Sequence, residues 1–249
     1  MKIVFLTTDD PIYLPAFYDR VLSVYGDRTA EVAIVPPLYK NQTPLKAAWR
    51  YYRTFGFEGV RGLVTHVAKA KLRRRSIAAV CARHGVRSAA VADVNAPEFL
   101  AHLRDLGTDL LVSVSCPQIF KLDLIDLPAL GCLNIHGAAL PRYRGVMPSF
   151  WMLANDEKEA GVSIYFVNEK IDAGELCGQR IFSIEPDESL DAFLLRSKAI
   201  AADLLLEVLE KLERGDLPRE PLDLKQGSYF SWPDEDAVKR FRATGRSLW

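Results

Sequence analysis

Cysteine and histidine are scarce in this chain, and their spacing excludes a familiar metal centre. Cys81, Cys116, Cys132 and Cys177 stand far apart without a CxxC pair, and the four histidines are equally scattered. A structural zinc site needs closer ligand pairs, so no residue is assigned to a metal. Neither charge sign dominates: 32 basic residues face 32 acidic ones. A balanced chain makes no overall field that draws in nucleic acid or anionic lipid. Long apolar runs are missing, so no segment reads as a membrane span. Residues 1–10 (MKIVFLTTDD) enter a strand-like run without the basic, apolar and small-residue regions of a leader. A cytoplasmic setting without a membrane partner is the expectation. Glycine is absent from the first turn, Thr7-Thr8-Asp9-Asp10-Pro11. The GxGxxG fingerprint is therefore lacking, no GxxxxGK[ST] loop occurs, and NAD or ATP binding in the usual manner is not expected.

What is present is enough apolar sequence, 49% of 249 residues, to bury a substantial core. Strand-like runs at 2–7, 31–35, 89–92, 109–115 and 131–135 alternate with helical patterns at 12–24, 43–84 and 96–106. The 43–84 stretch is broken near Gly56 and Gly62 and carries one cationic run, KAKLRRR at 69–75. That run reads as a solvated helix face, with a phosphate-contacting patch as the alternative. Two more strands, 161–167 and 176–184, precede a long helix from about Leu190 to Arg214, ended by Gly215. Alternating strands and helices predict an α/β fold: a Rossmann-like, mostly parallel sheet with helices on both faces, plus a C-terminal helix and short extension. Residues 1–185 form the expected catalytic core. Residues 186–249, the long helix and an aromatic tail, are expected to pack on it.

In open α/β sheets, ligands sit beyond the carboxyl ends of the strands. Asn134 and His136 flank Ile135 at one such end, and side chains two apart on a strand share a face. An amide that donates N–H and a base that titrates near neutrality suit acyl transfer, where oxygen charge develops and an amine proton must move. Alone, an Asn-x-His pair is also compatible with an ordinary polar strand end. Asp172 is likewise compatible with a turn aspartate before Ala173 and Gly174.

Two longer motifs resolve that ambiguity. Residues 134–145 read NIHGAALPRYRG and residues 161–174 read GVSIYFVNEKIDAG. Together they closely resemble the formyltransferases that use 10-formyltetrahydrofolate, a family acting on methionyl-tRNA, glycinamide ribonucleotide and amino sugars. The family pattern is N-x-H-x-S-L-L-P-x-[YF]-[RK]-G, followed by a GVT-type strand and a D-[AG]-G turn. The resemblance is clear over 109–184 and fainter before it. It implies an enzyme in which Asn134 polarises the formyl oxygen. His136 stabilises or deprotonates the addition intermediate. Asp172 orients His136 and holds a proton-shuttling water. It also implies that the folate lies between Cys116-Pro117-Gln118-Ile119-Phe120 and the loop holding Asn168, Glu169, Lys170 and Ile171. The family's serine two residues after the histidine is Ala138 here, so a hydroxyl near catalytic water or substrate is expected to be missing.

The expected acceptor is a small primary amine, an amino-sugar nucleotide or another biosynthetic amine. The alternatives are methionyl-tRNA, glycinamide ribonucleotide, and hydrolysis of the formyl folate. The chain ends too soon after Asp172 to hold the additional tRNA-binding domain of the methionyl-tRNA enzymes, and nucleic acid is not the expected partner. Tyr229, Phe230 and Trp232 in the tail suit either stacking on a base or sugar, or core packing and a homodimer contact.

Overall fold

A computed structural model describes residues 1–37 and 43–249. Among the described residues one seven-stranded sheet organises the chain. In chain order the elements are β1 (Ile3–Thr8), α1 (Leu14–Tyr25), β2 (Thr29–Val35), α2 (Pro44–Leu72), α3 (Ile77–Arg83), β3 (Arg87–Ala90), α4 (Pro97–Asp105) and β4 (Leu110–Val114). They continue as α5 (Leu122–Ile125), β5 (Cys132–His136), β6 (Arg144–Gly145), α6 (Pro148–Ala154), β7 (Glu159–Phe166), β8 (Glu175–Ser183), α7 (Leu190–Arg214), β9 (Tyr229–Phe230) and α8 (Glu235–Ala243). The sheet order is β3-β2-β1-β4-β5-β7-β8. The first five strands in that order run parallel, and β7 and β8 are antiparallel to their neighbours. The order reverses between β1 and β4, which opens the crevice where doubly wound sheets take ligands.

Strand parity divides the core between the two faces. Phe5, Val112, Val114, Leu133 and Ile135 pack with Phe17 and Tyr18 of α1 and with Leu205 and Val208 of α7. Val4, Leu6, Leu111 and Cys132 pack on the opposite face with Phe99 and Leu103 of α4 and Leu124 of α5. Asn134 and His136 share the parity of Cys132, so β5 carries them on that second face. A further cluster joins Phe55 of α2, Phe150 of α6, Phe193 of α7 and Phe241 of α8.

The long helix occupies the span expected of it. Ser189 caps its start by accepting from the Ala192 N–H, and Gly215 closes its end at φ 75°. The interruption expected near Gly56 is a true break, since Gly56 sits at φ 70° and ψ −169° inside α2. In the tail, α8 was not anticipated. Asp234 caps it through the Ala237 N–H, and Ala237, Val238 and Phe241 bury its short apolar face.

Candidate active site

Three residues from two separate segments of the chain meet at the carboxyl end of β5. Asn134 and His136 come from the strand itself, and Asp172 from the turn between β7 and β8. The antiparallel pairing of β5 with β7 sets Tyr165 opposite Asn134. The Asn134 Nδ2 donates to the Tyr165 hydroxyl at 2.9 Å. That hydroxyl donates to Asp172 Oδ1 at 2.8 Å. The backbone N–H of Gly145 donates to Asp172 Oδ2 at 2.7 Å. Both carboxylate oxygens are thus engaged, and Asp172 is fixed although its backbone is left-handed at φ 48°. Tyr165, which sequence reasoning passed over, is the bridge. Its phenol is held in the protonated form by burial and then by the charge of Asp172.

His136 is buried and oriented from the other side. Its Nε2 lies 2.7 Å from the Tyr143 carbonyl. A carbonyl only accepts, so Nε2 carries the proton in the neutral ring and Nδ1 holds the lone pair. Nδ1 faces Asp172 Oδ1 at 3.6 Å, too long for a hydrogen bond in this state. A proton taken up at Nδ1 would lie beside a carboxylate that is already positioned. Asn134 retains one amide N–H beyond the one given to Tyr165. The arrangement thus offers a neutral donor, a base and a buried anion along one edge.

Local backbone geometry supports this edge. Of the non-glycine residues with positive φ among the described residues, Ser115, Tyr143, Met147 and Asp172 lie on the loops around it, and such conformations concentrate at functional sites. Gly174 follows Asp172 because a Cβ there would strike the Phe166 carbonyl. Gly145 sits at φ 97°, and a Cβ there would strike the Phe230 carbonyl. That close approach permits β6 to pair with β9 and lets the tail clamp the loop after β5. Tyr143 stacks on Phe230 at 5.1 Å, Ser228 Oγ accepts from the Tyr143 N–H, and Trp151 Nε1 donates to the Ser231 carbonyl at 3.0 Å. Phe230 and Trp232 are therefore packing residues of the loop cluster, while Tyr229 keeps an exposed ring beside the Arg144 guanidinium.

Ala138 is fully buried within the α6 cluster, so its side chain is part of the packing. A hydroxyl nearby comes instead from Ser163 of β7. It donates to the Ala138 carbonyl at 2.7 Å and accepts from the Leu140 N–H at 3.0 Å.

The segments expected to border a folate lie close together. A cavity of about 340 Å³ is lined by Phe120, Lys121, Leu122, Asp123 and Glu169, joining one segment to the other. Ile119 is 72% and Ile171 49% exposed, unusual for isoleucine and suited to a flat ring. Gln118 and Asn168 are engaged elsewhere. Gln118 accepts from the Val94 N–H and donates to the Ala92 carbonyl. Asn168 donates to the Ala173 carbonyl and accepts from the Lys170 N–H. Both fix loops, which leaves Pro117, Ile119, Phe120, Lys170, Ile171 and the backbone as candidate contacts. Burial pushes the Cys116 thiol up to about 11, which removes any case for a thiolate nucleophile.

A second polar group occupies the β1/β4 switch point. Lys198 of α7, half-buried, donates from Nζ to Ser115 Oγ at 2.8 Å. Burial lowers its pKa, opposed by the charge of Asp10. Asp10 is itself raised, chiefly by burial, although it accepts from the N–H groups of Ile12 and Tyr13. Nothing in the motifs marked Lys198; an ionisable residue within the long amphipathic helix reads as part of its solvated face.

Fold and site define a doubly wound α/β protein with an amide, an imidazole and a carboxylate at one strand end, the set that acyl-group transfer uses. Comparison with known proteins is consistent and more specific. The family model for formyl transferases matches residues 53–209, and the chain belongs to that family. It is 33% identical over 175 residues to the methionyl-tRNA formyltransferase of Ruminiclostridium cellulolyticum, covering 68% of this chain and 56% of that one. The chain thus spans a little over half the length of the curated relatives it matches. A solved sugar N-formyltransferase from Shewanella sp. FDAARGOS_354 superposes with a TM-score of 0.60 at 20% identity, covering 98% of this chain and 88% of the other. The N-formyltransferase of Helicobacter canadensis, solved in complex with folinic acid and dTDP-3-aminofucose, gives 0.61 at 16% identity, covering 98% and 81%. Likeness at those identities establishes the fold. Among the described residues, no helix is long and apolar enough to cross a membrane.

Proposed function

We propose that this protein transfers the formyl group of 10-formyltetrahydrofolate to a primary amine carried by a small molecule, with Asn134, His136 and Asp172 as the reacting set. The observation that carries the proposal is the continuous Asn134–Tyr165–Asp172 hydrogen-bond chain, facing the free Nδ1 of His136. The residues present suit the folate: exposed Ile119 and Ile171, the cavity between their loops, and backbone groups for a pterin edge. When bound, the folate would supply an activated formyl carbon. Asn134 would direct its remaining N–H at the formyl oxygen as charge develops there. His136 would take the proton of the attacking amine at Nδ1 and return it to the departing nitrogen, and Asp172 would stabilise the ring while it is charged. Holding both reactants at one edge supplies much of the rate.

An amino-sugar nucleotide is the favoured acceptor. The switch-point crevice beside the catalytic edge offers Lys198, Ser115 and Asp10 for hydroxyl and phosphate groups. Next to Gly145, the exposed Tyr229 ring offers a stacking surface, and the neighbouring Arg144 has a buried Nε without a hydrogen-bond partner. A second reading, formylation of methionyl-tRNA, is favoured by the 33% identity to enzymes of that name. Incubating the protein with 10-formyltetrahydrofolate and UDP-amino sugars, dTDP-amino sugars, glycinamide ribonucleotide or methionyl-tRNA, with mass detection of formyl gain, separates these. Formylation of an amino-sugar nucleotide supports the first reading. Turnover of methionyl-tRNA alone replaces it with the second. Equal formate release with and without any amine identifies a hydrolase.

A further inference from the structure

Helix α2 is docked along one side only. Phe55, buried between Tyr51, Phe150 and Trp232, anchors its first half. The stacking of His66 on Trp249 at 4.6 Å anchors its second. The other side is apolar and open. Before the break at Gly56, Leu45, Trp49 and Tyr52 recur at i, i+4 and i+7, which places them on one face. Leu45 is 83% exposed, and Trp49 stacks on Tyr52 at 5.7 Å in the open. After the break, Phe57 at 73%, Val64 and Leu72 at 86% continue the exposure. Six of the fourteen exposed large hydrophobic residues among those described thus lie on this one helix, and burial of core elsewhere does not require them there.

The same stretch is cationic. Residues 43–75 hold nine basic side chains and one acidic residue, Glu58, in a chain whose charges balance overall. Lys46, Arg61, Lys69, Lys71, Arg73, Arg74 and Arg75 are exposed. A second copy of this helix would bring like charges together. An RNA would use the cations and aromatic rings but gain nothing from Leu45, Val64 and Leu72. A surface of anionic phospholipid uses both features, with apolar side chains at the acyl boundary and cations among the headgroups.

We propose that the outer face of α2 docks this protein on anionic bilayer surfaces, with the helix lying in the interface plane. The absence of a spanning run, from which no membrane partner was expected, does not bear on such peripheral attachment.

Flotation of the full chain with phosphatidylglycerol/phosphatidylcholine vesicles, against phosphatidylcholine alone, tests this without any turnover. Its result is therefore independent of the formyl-transfer reading. The anionic vesicles are expected to bind at least about tenfold more tightly, and added salt to weaken that binding. Leu45→Glu/Trp49→Glu and Lys71→Glu/Arg74→Glu are each expected to reduce it about tenfold or more. Leu195→Glu, at an exposed apolar position on α7, is expected to leave it unchanged, and matching melting curves confirm that each variant folds. Any of four results overturns the proposal: no preference for phosphatidylglycerol, binding that the α2 variants retain, a dimer that Leu45→Glu/Trp49→Glu dissociates, or binding to tRNA without binding to vesicles.

Discussion

The Tyr165 hydroxyl stands between Asn134 and Asp172, accepting from the amide at 2.9 Å and donating to the carboxylate at 2.8 Å. Because burial and the Asp172 charge keep the phenol protonated, Tyr165 is a constant donor to Asp172 at neutral pH. Tyr165→Phe removes that donor without changing the ring. The expected result is a fall in kcat/KM of about 10- to 100-fold, or ~1.4–2.7 kcal/mol. An accompanying stability loss of about 1–2 kcal/mol reflects the unsatisfied Asp172 oxygen. Steady-state kinetics and urea unfolding read the two effects separately; unchanged kcat/KM would remove Tyr165 from the site.

Gly145 couples the tail to Asp172. Its N–H holds Asp172 Oδ2, and its missing Cβ admits the Phe230 carbonyl. Gly145→Ala is expected to cost roughly 2 kcal/mol or more through the positive φ and the clash. Activity should fall further than Tyr229→Ala makes it fall, because only the glycine change displaces Asp172. Wild-type activity in a folded Gly145→Ala protein would show that the clamp is dispensable.

Lys198 gives a prediction on binding and on pH. Lys198→Met should raise the acceptor KM about tenfold with a smaller change in kcat, as loss of a uniform binding contact does. Its folded pKa lies below the ordinary lysine value. The unfolded chain therefore holds the proton across the interval where the folded chain releases it, and folded-state stability rises with pH through that interval. The melting temperature of the wild-type chain should accordingly gain on that of Lys198→Met as pH rises from neutral towards the usual lysine range. A wild-type melting temperature that falls relative to that of Lys198→Met over that range would contradict the burial of the ammonium.

Cys116 borders the proposed folate segment yet has no chemical part in the account. With its thiol pushed up to about 11, only about one molecule in a thousand is a thiolate at pH 8. Its alkylation rate should climb about tenfold per pH unit without levelling off below that value. Cys116→Ser should retain activity within about threefold. Early levelling near neutrality would reveal an activated thiol.

Long periodic elements were legible in the sequence, since Leu190 to Arg214 carries its own cap, apolar stripe and terminating glycine. Asn134 and His136 were legible because strand parity alone puts them on one face. Their meeting with Asp172 rested on resemblance, because only the β5–β7 register brings the β7–β8 turn to that strand end. The same register hides Tyr165: within an alternating strand, a tyrosine reads as core. Tail residues 228–232 offered aromatics without a partner. The two-residue β6–β9 pairing that turns Phe230 and Trp232 inward has no local signal, and α8 is too short for periodicity to declare it. The burial of Ala138 was not legible either, since a motif position gives no burial, and the side chain there belongs to the packing.

The most direct measurement is formyl transfer from 10-formyltetrahydrofolate to an amino-sugar nucleotide by wild type, Asn134→Ala and His136→Ala, with folate binding measured in parallel. The account predicts that each variant binds folate within about threefold of wild type while kcat falls by roughly 10²–10⁴. Formyl transfer at the wild-type rate by a folded His136→Ala protein would contradict it.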